Sequence, residues 1–254
     1  PAASPPAGTG RRPAPVMSEA ARPAVSGPLV VAIDGPSGVG KSTAARLLAS
    51  RLGVPYLDTG AMYRALGLLV LRRGIDPGDR ERVEELAATA PVAMQAGAGG
   101  AFEVLLEGEP VGSRIRTPAV SDATSRIAVY PGVRRRMVSL QREFAARAGG
   151  VLEGRDIGSR VLPAAPFKFF LDAPVAVRVE RRRRELAGRG TAVDAAELTR
   201  EIEERDRRDR SRHDSPLLCT PGHLRIDTGP LDAAAVVERM LAVIRNAGWG
   251  GAPR

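Results

Sequence analysis

Apolar and polar positions divide the chain into segments of different period. Residues 1–28 are dominated by Pro, Ala, Gly and Ser without apolar periodicity, so they bury too little surface to offset their ordering entropy and are expected to form a disordered tail. At Leu29-Val30-Val31-Ala32-Ile33-Asp34 the pattern becomes a short apolar run, the form of a strand buried on both faces. A glycine-rich turn follows, and Thr43 to Leu52 has helical spacing with Leu47, Leu48 and Leu52 on one face. Further apolar runs occur at Pro55 to Leu57, Val151 to Glu153, Phe167 to Leu171 and Leu224 to Ile226. Helical stretches around 61–73, 131–147, 174–187, 194–212 and 231–245 lie between or after them. This alternation predicts an α/β fold, a parallel five-stranded sheet with helices on both faces, ending in a flexible segment at 247–254.

Val92 to Arg116 breaks the rhythm. Gly97, Gly99, Gly100, Gly108 and Gly112 punctuate short alternating runs such as Phe102-Glu103-Val104-Leu105-Leu106, which predicts small antiparallel strands inserted into the α/β body. Such an insertion is expected to sit over a site; the alternative is a decorative surface hairpin.

Composition adds bounds. The 254 residues suffice for a sizeable core, and the balance of 38 Lys plus Arg against 29 Asp plus Glu, net +9, suits a nucleic acid, an acidic membrane surface or an anionic small substrate. Lys41 and Lys168 are the only lysines, and an Ala-, Gly- and Arg-rich chain can reflect codon bias alone. A lysine inside a glycine-rich turn is therefore informative, because a compact ammonium has been kept there. One Cys and two His leave no zinc-ligand cluster and no disulfide framework, so a reducing cytoplasm is the expected setting. No basic-then-apolar leader and no run of about 18 apolar residues is present, so neither secretion nor a membrane contact is expected.

The strongest chemical signal is Gly35-Pro36-Ser37-Gly38-Val39-Gly40-Lys41-Ser42, followed by Thr43, which fits G-x-x-x-x-G-K-[ST] between a predicted strand and a predicted helix. The glycines let backbone N–H groups converge on phosphate, Lys41 reaches the terminal phosphates, and the Ser42 hydroxyl can hold Mg²⁺. Asp58-Thr59-Gly60-Ala61-Met62-Tyr63-Arg64 follows the second strand and Arg155-Asp156 the third, so three strand ends bring polar groups to one crevice. Residues 178–212 hold twelve Arg and nine Asp or Glu, mostly a solvated helix pair. Arg205, Asp209 and Arg212, at i, i+4 and i+7, would present cation, anion and cation on one face; a surface ion pair is the plainer reading.

Together these segments resemble the bacterial cytidylate kinases of the nucleoside monophosphate kinase group, from about Leu29 to Arg245. The resemblance rests on the glycine-rich turn, Leu57 to Arg64, Glu153-Gly154-Arg155-Asp156-Ile157-Gly158, Arg205-Asp206-Arg207-Arg208-Asp209-Arg210 and Asp214-Ser215-Pro216-Leu217. It implies a P-loop NTPase-type kinase domain over 29–246, with 92–130 as the nucleoside monophosphate-binding insertion and about 178–212 as a mobile lid. It implies transfer of the ATP γ-phosphoryl group to CMP or dCMP by in-line attack with Mg²⁺, by a monomer without nucleic-acid partners. The family's roles fall on Thr59, Arg64, Arg155 and Arg212 near the acceptor phosphate, Arg205 and Asp209 toward ribose and phosphate, and Ser125, Arg134 and Asp156 on cytosine, with Lys41, Arg155, Arg205 and Arg212 as the charge-stabilising set.

Leu218-Cys219-Thr220-Pro221-Gly222-His223 departs from the family pattern, where an alanine-rich turn with an acidic residue is expected, and Cys219 with His223 is too few residues for a nucleophile or metal site. Two rival readings remain. One is a kinase for UMP, AMP or a hydroxylated metabolite, with Asp58 or Asp34 as base in the last case. The other is a nucleotide-dependent nucleic-acid binder, disfavoured by an aromatic content of 4% and by Phe167, Phe169 and Phe170 lying in a predicted strand.

Overall fold

A computed structural model describes residues 28–97, 100–188, 190, 193–212 and 214–249. The segment expected to be a tail lies outside these residues except for Pro28, as do residues 250–254. Residues 247–249, expected within a flexible C-terminal segment, are held: Trp249 N–H donates to Ile244 O at 3.3 Å and its side chain packs against the core.

Five strands form the main sheet: β1 (Val30–Asp34), β2 (Tyr56–Asp58), β6 (Gly150–Glu153), β7 (Phe167–Asp172) and β8 (Leu224–Asp227). Their order is β2-β6-β1-β7-β8 and every pairing is parallel. The period-2 alternation of each strand divides the core in two. Ala32, Leu57 and Leu152 face one layer with α2 (Thr59–Arg72), α3 (Arg80–Thr89) and α5 (Pro131–Ala148). Val31, Ile33 and Val151 face the other with α1 (Lys41–Leu52) and α8 (Ala233–Asn246).

The insertion has the expected antiparallel strands, β3 (Val92–Ala96), β4 (Phe102–Leu106) and β5 (Glu109–Pro110). It also contains a 3₁₀ turn at Gly112–Ile115 and α4 (Pro118–Ile127), capped by the Thr117 side chain on Val120 N–H with Pro118 opening the helix. The strands do not reach the main cleft; the helical part of the insertion does.

Helices α6 (Val175–Ala187) and α7 (Ala195–Ser211) carry the arginine-rich segment and share a small apolar contact of Val179, Leu198 and Ile202. Val177 of α6 packs against the core beneath α1, and polar contacts hold the pair further. Arg178, 2% exposed, donates to Asp206 Oδ2 at 2.6 Å, to Ala173 O at 3.1 Å and to Ser37 O in the glycine-rich turn at 3.3 Å. Arg178→Ala would strand the buried Asp206 carboxylate, and is expected to destabilise the fold by about 3–5 kcal/mol. Equilibrium unfolding checks this, and a loss below about 1 kcal/mol would show that the pair contributes little.

Candidate active site

The C-terminal ends of β1, β2 and β6 open onto one cleft of about 790 Å³, which α4, α6 and α7 also line. Its floor is the part of the glycine-rich turn from Ser37 to Thr43. At Gly35 (φ 148°) a Cβ would stand 2.1 Å from Leu171 O, and Gly40 caps α1 at φ 86°, so glycine is required at both places. The α1 N-terminus points its unpaired N–H groups into the cleft.

Lys41 is buried and donates from Nζ to Pro36 O at 2.7 Å. Burial, then the charges of Arg155 and Arg205, bring its ammonium down to about 7 against the pull of Glu153 and Asp209. Glu153 is the functional candidate that sequence reasoning missed. Only 2% exposed, it accepts from Tyr56 Oη at 2.5 Å and from the Ser42 hydroxyl, and burial raises its carboxyl above the usual range. Thr59 Oγ1 donates to Glu153 O at 2.6 Å, joining the start of α2 to the end of β6. A charged residue closing a buried strand on the ligand side was the available signal.

Opposite the turn lies a cluster of cations around one carboxylate. Asp209 on α7 accepts from Arg155 Nε at 2.8 Å and pairs through its other oxygen with Arg212, which caps α7 just past its last turn. Burial acts to raise the Asp209 carboxyl, but Arg155, Arg212 and Arg205 outweigh it and hold it below the usual range. Arg205 is brought down to about 10 by burial and then by Arg155. Arg64 pairs with Asp58 at 2.7 Å while Asp58 caps α2 on Ala61 N–H. The cations outnumber the anions here, and that excess favours an anionic ligand.

At the far end Arg134, 3% exposed, bonds Asp156 at 2.5 Å, and the Ser215 hydroxyl, which donates to Asp214 Oδ1 at 3.2 Å, lies beside the same carboxylate. Tyr63 lies under Arg134, with 5.9 Å from guanidinium to ring centre, and Ser125 faces the cleft from α4. Every residue assigned from the sequence except Gly35 and Pro36 lines this one cleft; those two open the turn and are not part of the lining. Tyr63, Arg116 and Arg181 also line it without having been singled out. Asp34 does not: it is fully buried behind the site, with both oxygens occupied by Ile157 and Gly158 N–H at 2.8 and 2.7 Å. It is therefore unavailable as a base.

The sequence model of the cytidylate kinase family matches residues 31–246. A cytidylate kinase of Solibacter usitatus is 47% identical over 220 residues, 86% of this chain and 93% of its own. One of Pelotomaculum thermopropionicum is 48% identical over 212 residues, 84% of this chain and 94% of its own. With the glycine-rich turn, the arginine cluster and the buried Arg134–Asp156 pair gathered in one cleft, this chain belongs to the cytidylate kinase family.

Proposed function

We propose that the chain transfers the γ-phosphoryl group of ATP to CMP or dCMP, giving ADP and CDP or dCDP. The observation that carries this reading is the distribution of charge along the cleft: a phosphate-binding turn at one end, a buried paired cation and anion at the other, and an arginine cluster between them. Cytosine displays an amino donor beside ring-nitrogen and carbonyl acceptors, so Asp156 and Ser125 accept from the amine while Arg134 donates to the acceptors. Uracil reverses part of that pattern and would leave buried groups unpaired.

The acceptor phosphate is anionic at neutral pH, so its oxygen attacks in line without a general base. Thr59, Arg64, Arg155 and Arg212 position it, Arg205 and Asp209 orient the ribose, and Lys41 with the arginines disperses the charge of the transferring group. Residues 178–212 act as the lid that excludes water, and 92–130 as the acceptor-binding insertion. Among the described residues no group of three or more His, Cys, Asp or Glu could hold a metal by itself. The Ser42 hydroxyl beside Glu153 is nonetheless an oxygen donor set that suits Mg²⁺ once ATP phosphates complete it. Bound there, Mg²⁺ would neutralise phosphate charge. One chain supplies every group that the reaction uses, so a monomer suffices, and nothing in the chemistry requires a setting other than the cytoplasm.

A hydroxyl acceptor is less well supported, because Asp34 is enclosed and Asp58 is held by Arg64 and Ala61 N–H. No helix among the described residues is long and apolar enough to cross a membrane. Phe167, Phe169 and Phe170 are buried in β7, where they offer nucleic-acid bases no surface to stack on. The test is ADP production with Mg-ATP against CMP, dCMP, UMP, AMP, GMP and shikimate at matched concentration. Turnover of CMP and dCMP with little of UMP is expected; tight ATP binding with no acceptor turned over would overturn the assignment.

A further inference from the structure

Behind the cleft, the loop that departs from the family pattern makes a contact that the reaction does not itself require. His223, its side chain fully enclosed, places Nε2 3.2 Å from Asp34 Oδ2. Its other nitrogen, Nδ1, accepts from Thr220 N–H at 3.2 Å, with Thr220 Oγ1 2.8 Å away. A backbone N–H only donates, so Nδ1 carries the lone pair, the proton sits on Nε2, and the ring donates to Asp34. Phe170 meets the ring edge-on, with centres 6.2 Å apart and planes at 86°. A Cβ on Gly158 would stand only 2.6 Å from Nε2, so the imidazole lies directly against the backbone of that turn.

The turn is the one that carries the acceptor groups. Asp34 receives Ile157 and Gly158 N–H on its two oxygens, at the start of a single π-helical turn, Ile157–Val161, which Asp156 caps and Arg155 precedes. The loop from α7 to β8 meets the same region elsewhere: Asp214 pairs with Arg160 of the π-helical turn at 3.6 Å, Ser215, left-handed at φ 59°, lies beside the Asp156 carboxylate, and Leu217 N–H donates to Asp209 O at the end of α7 at 2.8 Å. His223 is a further anchor of that loop, beside the Asp214–Arg160 pair, and its bond is the third one on the carboxylate that fixes where Arg155 and Asp156 stand.

We propose that His223 is a positioning residue for the acceptor end of the cleft, acting through Asp34 on the turn that presents Arg155 and Asp156. This rests on the assignment of that end to CMP. Removing the imidazole takes a donor from a buried carboxylate and frees the loop on which Ser215 rides. The ATP end, built on the glycine-rich turn and α1, makes no contact with the ring among those described.

His223→Leu and His223→Gln, assayed with CMP and ATP varied separately and with thermal unfolding recorded, test this. His223→Leu is expected to raise KM for CMP by about five- to tenfold while KM for ATP changes less than about twofold. His223→Gln, whose amide N–H can still reach Asp34, is expected to recover most of that loss. A purely structural histidine would lower Tm in His223→Leu and leave both KM values alone, or move them together, and either result would overturn the proposal. So would a His223→Gln no better than His223→Leu. Should His223→Leu not fold, Thr220→Val, which removes only the hydroxyl beside Nδ1, carries the test with the same selective rise in KM for CMP, about twofold, and an unchanged value counts against it. Wild-type protein in the same assay separates the two levels: no CMP turnover by wild type defeats the acceptor assignment and this inference with it, whereas normal wild-type turnover with an unchanged ratio in the variants defeats this inference alone.

Discussion

Lys41→Met should lower kcat for CMP phosphorylation by on the order of 10³ while leaving the protein folded. Methionine keeps most of the apolar stem but removes the one ammonium in the glycine-rich turn, and no arginine side chain replaces it there. The same residue has a proton signature. Burial and the charge of Arg155 bring its folded value to about 7 from an ordinary 10.5. In the unliganded enzyme at pH 8 the amine is therefore largely neutral, and ATP phosphates beside it restore the charge. Calorimetry of ATP binding at pH 8 in buffers of different ionisation enthalpy should then show proton uptake, absent in Lys41→Met. Stability has a sign of its own. Between about pH 7 and pH 10.5 the unfolded chain holds this proton and the folded one does not, so the cost of burying the charge is fully present below 7 and relieved as pH rises. Wild type should gain stability relative to Lys41→Met across that window. An equal pH slope in both would mean that Lys41 keeps its proton when buried.

The parts of this site legible in the sequence are those set by local rules. β1, the glycine-rich turn and α1 follow from an apolar run, fixed glycine spacing and a helical stripe, all within Val30 to Leu52. Arg205 and Asp209 were brought together by helical spacing, and Arg212 stays in reach although it lies one residue past α7. What remained hidden depends on distant segments. The order β2-β6-β1-β7-β8 pairs β1 with two strands more than a hundred residues away, and no periodicity encodes that. Helix α3 buries only Val83 and Ala87, too narrow a stripe to show against its charged residues. Helix α4 was readable from Thr117-Pro118, a cap followed by proline, but its small polar residues mask it. Asp34 and Glu153 both close strands at the ligand end, and sequence could not tell them apart. Folding turns Asp34 onto the Ile157 and Gly158 amides behind the site and leaves Glu153 beside Ser42 in the cleft.

Asp156→Ala should reduce kcat/KM for CMP by about two orders of magnitude while changing KM for ATP less than about twofold. Its side chain is both the proposed reader of the cytosine amine and the partner of Arg134, so a single substitution has two consequences that must be separated. Arg134 is 3% exposed, its Nε has no partner, and its remaining bond, to Ala128 O, is long at 3.4 Å. Stranding that guanidinium should cost about 3–5 kcal/mol of stability. The double variant Arg134→Met with Asp156→Ala replaces the pair by apolar volume and should return stability to within about 1–2 kcal/mol of wild type, because a buried pair and a well-packed apolar substitute are often near equal. CMP turnover should not return with it, since neither the carboxylate that accepts from the amine nor the donor for the ring nitrogen and carbonyl is restored, and Ser125 alone remains. Unfolding curves and CMP kinetics on all three variants decide the matter. If turnover recovers along with stability in the double variant, the pair only supports the fold, and cytosine is read elsewhere in the cleft.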